Sequence, residues 1–101
     1  MGNKMKKIDS IKRILKNHKK EINERFRVKE IGVFGSYVRN EQKKRSDLDI
    51  LVEYSKAPSF FEYLELEEYL SEILGTKIDL VTKNALKPHI GKIILEEVLY
   101  I

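Results

Sequence analysis

The chain has 101 residues, of which 42% are apolar and 36% charged, and this composition is typical of one soluble globular domain spanning residues 1–101. It has no cysteine, which excludes disulfides and thiolate zinc sites, and no apolar run near the roughly 20 residues of a membrane span. The basic N-terminus lacks the apolar segment of a secretory signal. We therefore expect a cytoplasmic protein without membrane association.

The net charge of +4 is unevenly distributed along the chain. Residues 1–20 contain eight Lys or Arg and a single acid, whereas residues 62–72 contain five Glu and no base. The basic segment could bind RNA, an acidic partner or a nucleotide. Solvated helix faces are the simpler interpretation of both segments, because Lys and Glu are the usual surface residues of helices.

The first half of the chain predicts one helix and two strands. An apolar repeat at three- and four-residue steps predicts an amphipathic helix over residues 8–25. His18 falls on its apolar stripe and is interpreted as a helix-surface residue, because no second His or Cys lies at ligand spacing. Strands are predicted at Val28–Phe34, ending at Gly35, and at Leu48–Tyr54, with a short helix between them.

The second half predicts two helices and one strand. Ser59 and Glu62 form a capping-box pattern before a helix that Gly75 ends, residues 76–82 form a third strand, and Pro88 suits the first turn of a last helix. The apolar positions of the two helices are Phe60, Tyr63, Leu66, Leu70, Ile73 and Leu74, and Ile90, Ile93, Ile94, Val98 and Ile101. This order predicts an α/β or α+β fold in which helices cover a small sheet.

Two aspartates lie on one side of the second predicted strand. Asp47 and Asp49 are two residues apart, so their α-carbons are about 6.6 Å apart on the same face. Two carboxylates on a half-buried face repel each other and lose hydration, which raises the pKa of at least one of them unless a cation compensates. Magnesium fits this pattern, because it binds one or two carboxylates together with substrate phosphates.

Asp79 is a third acid that alternates with apolar neighbours, in the third predicted strand. If the second and third strands are adjacent, Asp47, Asp49 and Asp79 converge on one patch. A two-metal site for phosphoryl or nucleotidyl transfer needs such an arrangement, with ions about 3.5–4 Å apart.

Gly35 and Ser36 follow the first predicted strand. A glycine at a strand end lets the backbone approach a phosphate, and Ser36 offers a hydroxyl and an amide to the terminal phosphates of a nucleotide. A Gly-Ser pair alone is usually only a turn, and an isolated Asp-x-Asp is usually a solvated strand edge. Their occurrence on successive strands, with a third acid downstream, favours the catalytic interpretation.

The pattern Gly35-Ser36, ten residues and then Asp47-Leu48-Asp49 resembles the signature of the DNA polymerase β-like nucleotidyltransferase superfamily. The stretch FGSYVRNEQKKRSDLDILVEY is similar to the minimal nucleotidyltransferases (MNT), small proteins often encoded beside a HEPN-domain partner. The resemblance covers nearly the whole chain. It implies a nucleotidyltransferase fold like the polymerase β palm, with a small mixed sheet flanked by helices.

The resemblance also implies roles for individual residues. Gly35 and Ser36 would hold the triphosphate of ATP, and Asp47 and Asp49 would bind Mg²⁺, with two ions expected. Asp79 would be the third acid, acting either as a metal ligand or as the base for the attacking hydroxyl.

Three further positions belong to the same stretch. Arg39 matches an arginine common after the family's Gly-Ser pair, where it would contact the nucleotide or brace the loop. Val38 and Asn40 stand where such proteins often have alanine and glycine, a departure that concerns the shape of the loop.

By this resemblance the protein is a Mg²⁺-dependent enzyme that transfers AMP from ATP to a protein hydroxyl. The expected partner is a HEPN-type ribonuclease toxin modified on a tyrosine, which makes this protein the antitoxin. One alternative is an antitoxin that neutralises the toxin by contact alone. Another is nucleotidyl transfer to RNA or a small molecule, which the lack of an added binding domain disfavours.

Overall fold

The computed structural model describes residues 7–101, so the first six residues of the basic segment lie outside the described part. It contains helices α1 Ile8–Phe26, α2 Phe60–Leu74 and α3 Pro88–Glu97, strands β1 Val28–Phe34, β2 Leu48–Tyr54, β3 Ile78–Thr82 and β4 Leu99–Tyr100, and a 3₁₀ turn Lys83–Ala85. A mixed four-stranded sheet flanked by three helices confirms the predicted fold class. Within residues 7–101, no helix is both long and apolar enough to cross a bilayer.

The sheet has the strand order β3-β2-β1-β4. Strand β1 runs antiparallel to both β2 and β4, whereas β2 and β3 are parallel and α2 connects them. The register sets Phe34, the last residue of β1, opposite Asp49 and sets Asp49 beside Asp79. The ends of three strand segments therefore meet around Asp49.

The helix ends follow the signals in the sequence. Ser59 Oγ accepts the backbone N–H of Glu62 at 3.1 Å, and Glu62 Oε1 accepts the backbone N–H of Ser59 at 2.8 Å, which completes the predicted capping box. Gly75 ends α2 with a φ of 65°. Pro88 occupies the first turn of α3, as predicted.

One face of the sheet carries the main core. Leu48, Ile50 and Val52 of β2 pack in one cluster with the buried side chains of α1 and α2. Side chains of a strand alternate between its faces, so Asp49 and Glu53 project to the opposite face. Leu51 shares that second face and is only 1% exposed, so this face is also partly covered.

Two predicted elements were wrong. Residues 35–40, called the Gly-Ser turn below, form successive turns rather than a short helix. The last helix ends at Glu97 and does not continue to Ile101, because Leu99 and Tyr100 pair with Val33 and Gly32 as β4. The backbone groups on this edge of β1 are satisfied by a strand, which outweighs the continued apolar repeat.

Three predicted apolar positions also differ. Ile90 and Ile93 of α3 are 55% and 60% exposed, and the third is in α2. Phe60, placed on the apolar side of α2 by its spacing, is 69% exposed. It is the first residue of α2, and the buried side of that helix consists of Leu66, Leu70 and Leu74.

Candidate active site

Gly35 lies directly against the carboxylate of Asp49. Its φ is 82°, and a Cβ atom added to it would lie 2.0 Å from Asp49 Oδ2 and 2.9 Å from Asp49 Cγ. Both the backbone conformation and the lack of space require glycine at this position. The Gly-Ser turn and the Asp-x-Asp strand, which are separate in sequence, thus share one site.

Asp49 and Asp79 lie side by side on parallel neighbouring strands. The pKa of Asp49 is raised to about 6, mainly by burial and also by a hydrogen bond shared with Asp79 and by the charges of Asp79 and Asp47. The charge of Arg39 acts in the opposite direction. The carboxylates therefore form a patch of unfavourable negative charge that a bound cation would relieve.

Asp47 lies just before β2 begins and is half-buried, whereas Asp79 is exposed. The neighbouring backbone is fixed by Leu48 N–H, which donates to Lys77 O at 2.9 Å. Within residues 7–101, no three His, Cys, Asp or Glu side chains form a complete metal cluster. The roles of Asp47, Asp49 and Asp79 as metal ligands remain predictions.

The Gly-Ser turn is held by its own backbone. The N–H groups of Val38 and Arg39 donate to Gly35 O at 3.0 and 3.2 Å, and Glu41 N–H donates to Ser36 O at 2.8 Å. Asn40 adopts a φ of 58°, in the left-handed region that asparagine tolerates better than most residues. The departure from glycine at this position therefore preserves the shape of the turn.

Arg39 is bound by two carboxylates. Its Nε donates to Glu41 Oε1 at 2.7 Å and its Nη1 donates to Glu97 Oε1 at 2.5 Å. These two hydrogen bonds, first that of Glu41 and then that of Glu97, raise the pKa of Arg39. The structure thus shows Arg39 bracing the loop, and its contact with a nucleotide remains a prediction.

No sequence pattern indicates a role for Glu97. Its Oε2 accepts the backbone N–H of Gly35 at 2.7 Å across 62 positions of the chain. No local pattern links a glutamate at the end of one helix to a turn so far away in the sequence. Only the pairing of β4 with β1 brings the two together.

A cavity of about 270 Å³ lies elsewhere, where β2 and β3 end. It is lined by Val52, Tyr54, Ala57, Pro58, Ser59, Phe60, Tyr63, Thr82, Lys83 and Asn84. This lining contains none of the predicted site residues. The site formed by the acids and the Gly-Ser turn is therefore distinct from this cavity.

The raised pKa of Asp49 predicts a pH-dependent stability. Folded Asp49 holds a proton up to about pH 6, whereas the unfolded chain releases it near the reference value of 3.8. The free energy of unfolding contributed by Asp49 therefore falls as pH rises through this window. Because the group is partly exposed, we expect a loss of about 1 kcal/mol.

Urea unfolding of the wild type and of Asp49→Asn without divalent metal would measure this contribution. The two proteins should have similar free energies of unfolding at pH 4, and the variant should be the more stable by about 1 kcal/mol at pH 7. The comparison cancels the titration of carboxylates that do not interact with Asp49. A difference that does not change with pH would contradict the prediction.

Comparison with known families gives a match over most of the chain. The family described as "Nucleotidyltransferase domain" matches residues 15–101. The protein adenylyltransferase MntA of Thermococcus cleftensis is 54% identical over 94 residues, which cover 93% of this chain and 95% of the relative. The fold and the motif thus agree with an independent comparison of sequences.

Two solved structures share the fold. A toxin–antitoxin crystal structure with AMP-PNP aligns with a TM-score of 0.68 and 23% identity, covering 91% of this chain and 69% of the other. A complex of a tri-AMPylated Shewanella oneidensis HEPN toxin with an MNT antitoxin aligns with a TM-score of 0.58 and 20% identity, covering 91% and 66%. At these identities the similarity shows the fold.

Proposed function

The chain belongs to the nucleotidyltransferase family, and on this basis we propose that it transfers AMP from ATP to a tyrosine hydroxyl of a HEPN ribonuclease toxin and so acts as an antitoxin. The observation that carries this proposal is the contact of Gly35 with Asp49, beside Asp79. It brings the Gly-Ser turn together with Asp49 and Asp79, as a site for a nucleoside triphosphate requires. The names of the adenylyltransferase relative and of the AMPylated toxin complex support the nucleotide and the acceptor.

Magnesium fits the residues of the site. The charges of Asp47 and Asp79 and the burial of Asp49 all disfavour an ionised Asp49, and a hard cation would remove this penalty. Mg²⁺ usually binds one or two protein carboxylates and takes substrate phosphates as further ligands. Asp47 and Asp49 would hold the ions, and Asp79 would be the third ligand or the base.

The proposed reaction is an in-line displacement at the α-phosphorus of ATP. The tyrosine oxygen forms a bond to this phosphorus, the bond to the oxygen bridging to the β-phosphate breaks, and pyrophosphate leaves. Bound Mg²⁺ would supply charge neutralisation on the phosphates and a lower pKa of the acceptor hydroxyl.

The chain's own groups orient the reactants. The Gly-Ser turn presents backbone and the Ser36 hydroxyl to the triphosphate, so that its α-phosphate lies near the acids. When Asp79 acts as the base, one of its carboxylate oxygens accepts the proton of the tyrosine hydroxyl. The exposure of Asp79 leaves this oxygen accessible to a side chain of another protein.

The experiment follows the mass of the acceptor. The candidate acceptor is a HEPN protein encoded in a neighbouring reading frame. After incubation with this chain, ATP and Mg²⁺, its intact mass should increase by whole AMP units, and peptide mapping should locate them on tyrosine. An unchanged mass would contradict the proposal, and modification at another residue type would contradict the tyrosine assignment.

Two matched variants separate catalysis from binding. Ser36→Ala should lose both AMP transfer and toxin neutralisation, whereas Ser59→Ala makes the same chemical change at the remote cap of α2 and should retain both. Loss of the cap costs about 1 kcal/mol of stability. If Ser36→Ala still neutralises an equimolar amount of toxin without transfer, the antitoxin acts by contact. AMP transfer to RNA or a small molecule instead of the toxin would support the remaining alternative.

A further inference from the structure

The end of β1 extends beyond its pairing with β4. Ile101 N–H donates to Ile31 O at 2.9 Å, so the backbone groups of Ile31 face β4. Backbone groups of alternate residues in an antiparallel strand face the same edge, which directs those of Val33 and Gly35 towards β4 as well. The recorded pairing reaches only Val33, opposite Leu99, so the backbone N–H of Gly35 has no strand partner there.

Glu97 supplies the missing acceptor. Its Oε2 accepts the Gly35 N–H at 2.7 Å, while its Oε1 accepts Arg39 Nη1. One carboxylate therefore bridges the first residue of the Gly-Ser turn and a side chain four residues later. The Glu97 side chain is only 21% exposed, and hydrogen bonds to a charged group are stronger than neutral ones. This bridge fixes both the end of β1 and the direction of the Arg39 guanidinium.

The sheet order determines on which side of Gly35 this bridge lies. Asp49 belongs to β2 and Glu97 lies two residues before the start of β4, and β1 runs between these two strands. Glu97 and Asp49 thus contact Gly35 from opposite sides, and the Glu97 carboxylate is not one of the acids of the site. It supports the turn from the β4 side and does not come between Gly35 and Asp49.

We propose that Glu97 is a positioning residue for the nucleotide, which acts by holding Gly35 and Arg39 where they receive the triphosphate. This inference rests on the proposed function, because it assumes that the Gly-Ser turn binds ATP. A bridge with a merely structural role would affect the stability of the protein and leave its nucleotide affinity unchanged. A positioning role predicts weaker nucleotide binding in protein that remains folded.

The test measures nucleotide affinity without any acceptor protein. Calorimetric titration with Mg²⁺ and AMP-PNP should give a dissociation constant about 10- to 100-fold higher for Glu97→Ala than for the wild type. Glu97→Gln should give an intermediate value, because its amide oxygen still accepts the Gly35 N–H but no longer pairs its charge with Arg39. Glu96→Ala removes the same charge from the neighbouring, exposed position of α3 and should bind like the wild type.

Kinetics provide a second measurement. Where transfer is detected, the KM for ATP of Glu97→Ala should rise by a larger factor than kcat falls, because the acids that carry the chemistry are unchanged. Thermal unfolding of each variant identifies the temperatures at which it is folded. Should Glu97→Ala not fold, Glu97→Gln carries the test, since it retains one hydrogen bond of the bridge.

The outcomes distinguish this inference from the proposed function. Equal affinity for AMP-PNP, within twofold, in the wild type and the folded Glu97 variants overturns the positioning role alone. Nucleotide binding that depends on Glu97, without AMP transfer to a HEPN protein, supports the positioning role and contradicts the proposed function. A wild type that does not bind AMP-PNP with Mg²⁺ overturns both.

Discussion

Asp49→Asn is expected to lower the rate of AMP transfer by roughly a thousandfold or more, because loss of the proposed metal ligand would remove several kcal/mol of transition-state stabilisation. The metal-free variant should nevertheless fold, since replacing Asp49 removes a half-buried charge that Asp79 and Asp47 disfavour. Transfer is measured by the intact mass of the acceptor over time. Circular dichroism and urea unfolding report the fold.

A matched control for this variant is available on the same strand. Glu53 lies on the same face of β2, four residues beyond Asp49, and pairs with Lys83 at 3.7 Å. Glu53→Gln makes the same chemical change away from the acids and should retain transfer. Full activity in Asp49→Asn would show that the site assignment is wrong. Equal losses in both variants would point to a general effect of charge on this face.

Gly35→Ala is expected to combine a large loss of stability with loss of transfer. The added Cβ would lie 2.0 Å from Asp49 Oδ2, and the φ of 82° is unfavourable for any residue with a Cβ. Left-handed backbone and overpacking together should lower the free energy of unfolding by roughly 2 to 4 kcal/mol. The displaced Asp49 carboxylate would also leave the position in which the acids act.

Two further variants separate the causes. Gly75→Ala places a Cβ at a similar φ of 65°, at the end of α2, and should cost about 1 to 2 kcal/mol without loss of transfer. Combining Gly35→Ala with Asp49→Ala relieves the overlap but not the backbone strain, so stability should recover in part. If Gly35→Ala is no less stable than Gly75→Ala, the contact with Asp49 is not as close as described.

The strands and helix starts could be predicted because their signals are local. The alternation in Leu48–Tyr54 and the capping box at Ser59 each depend on residues a few positions apart, and both appear in the structure. Strand β4 could not be predicted, since its two residues are too few for any period and they pair with β1 far away in sequence. An apolar repeat that continued to Ile101 concealed it.

In the candidate site, too, features with local signals could be predicted and features that depend on long-range pairing could not. Gly35 and the Asp-x-Asp pair stand out by spacing, and the structure brings Gly35 into contact with Asp49 of that pair. The position of Asp79 beside Asp49 depends on the parallel pairing of β2 and β3, which the sequence pattern permits but does not specify. The bridge formed by Glu97 had no signal at all, because it depends on where α3 ends. The catalytic roles of these residues remain predictions.

The bridge from Glu97 to Gly35 also bears on the order in which structure is lost on heating. It closes a loop of 62 positions, and β4 contributes only two exposed residues beside it. The buried residues of the hydrophobic cluster between the sheet and the helices α1 and α2 include none from α3. Detachment of α3 and β4 by partial unfolding should therefore require less free energy than global unfolding. Heat or denaturant would then inactivate the enzyme before its core melts, and the Gly35 amide would exchange with solvent faster than that of Ile50.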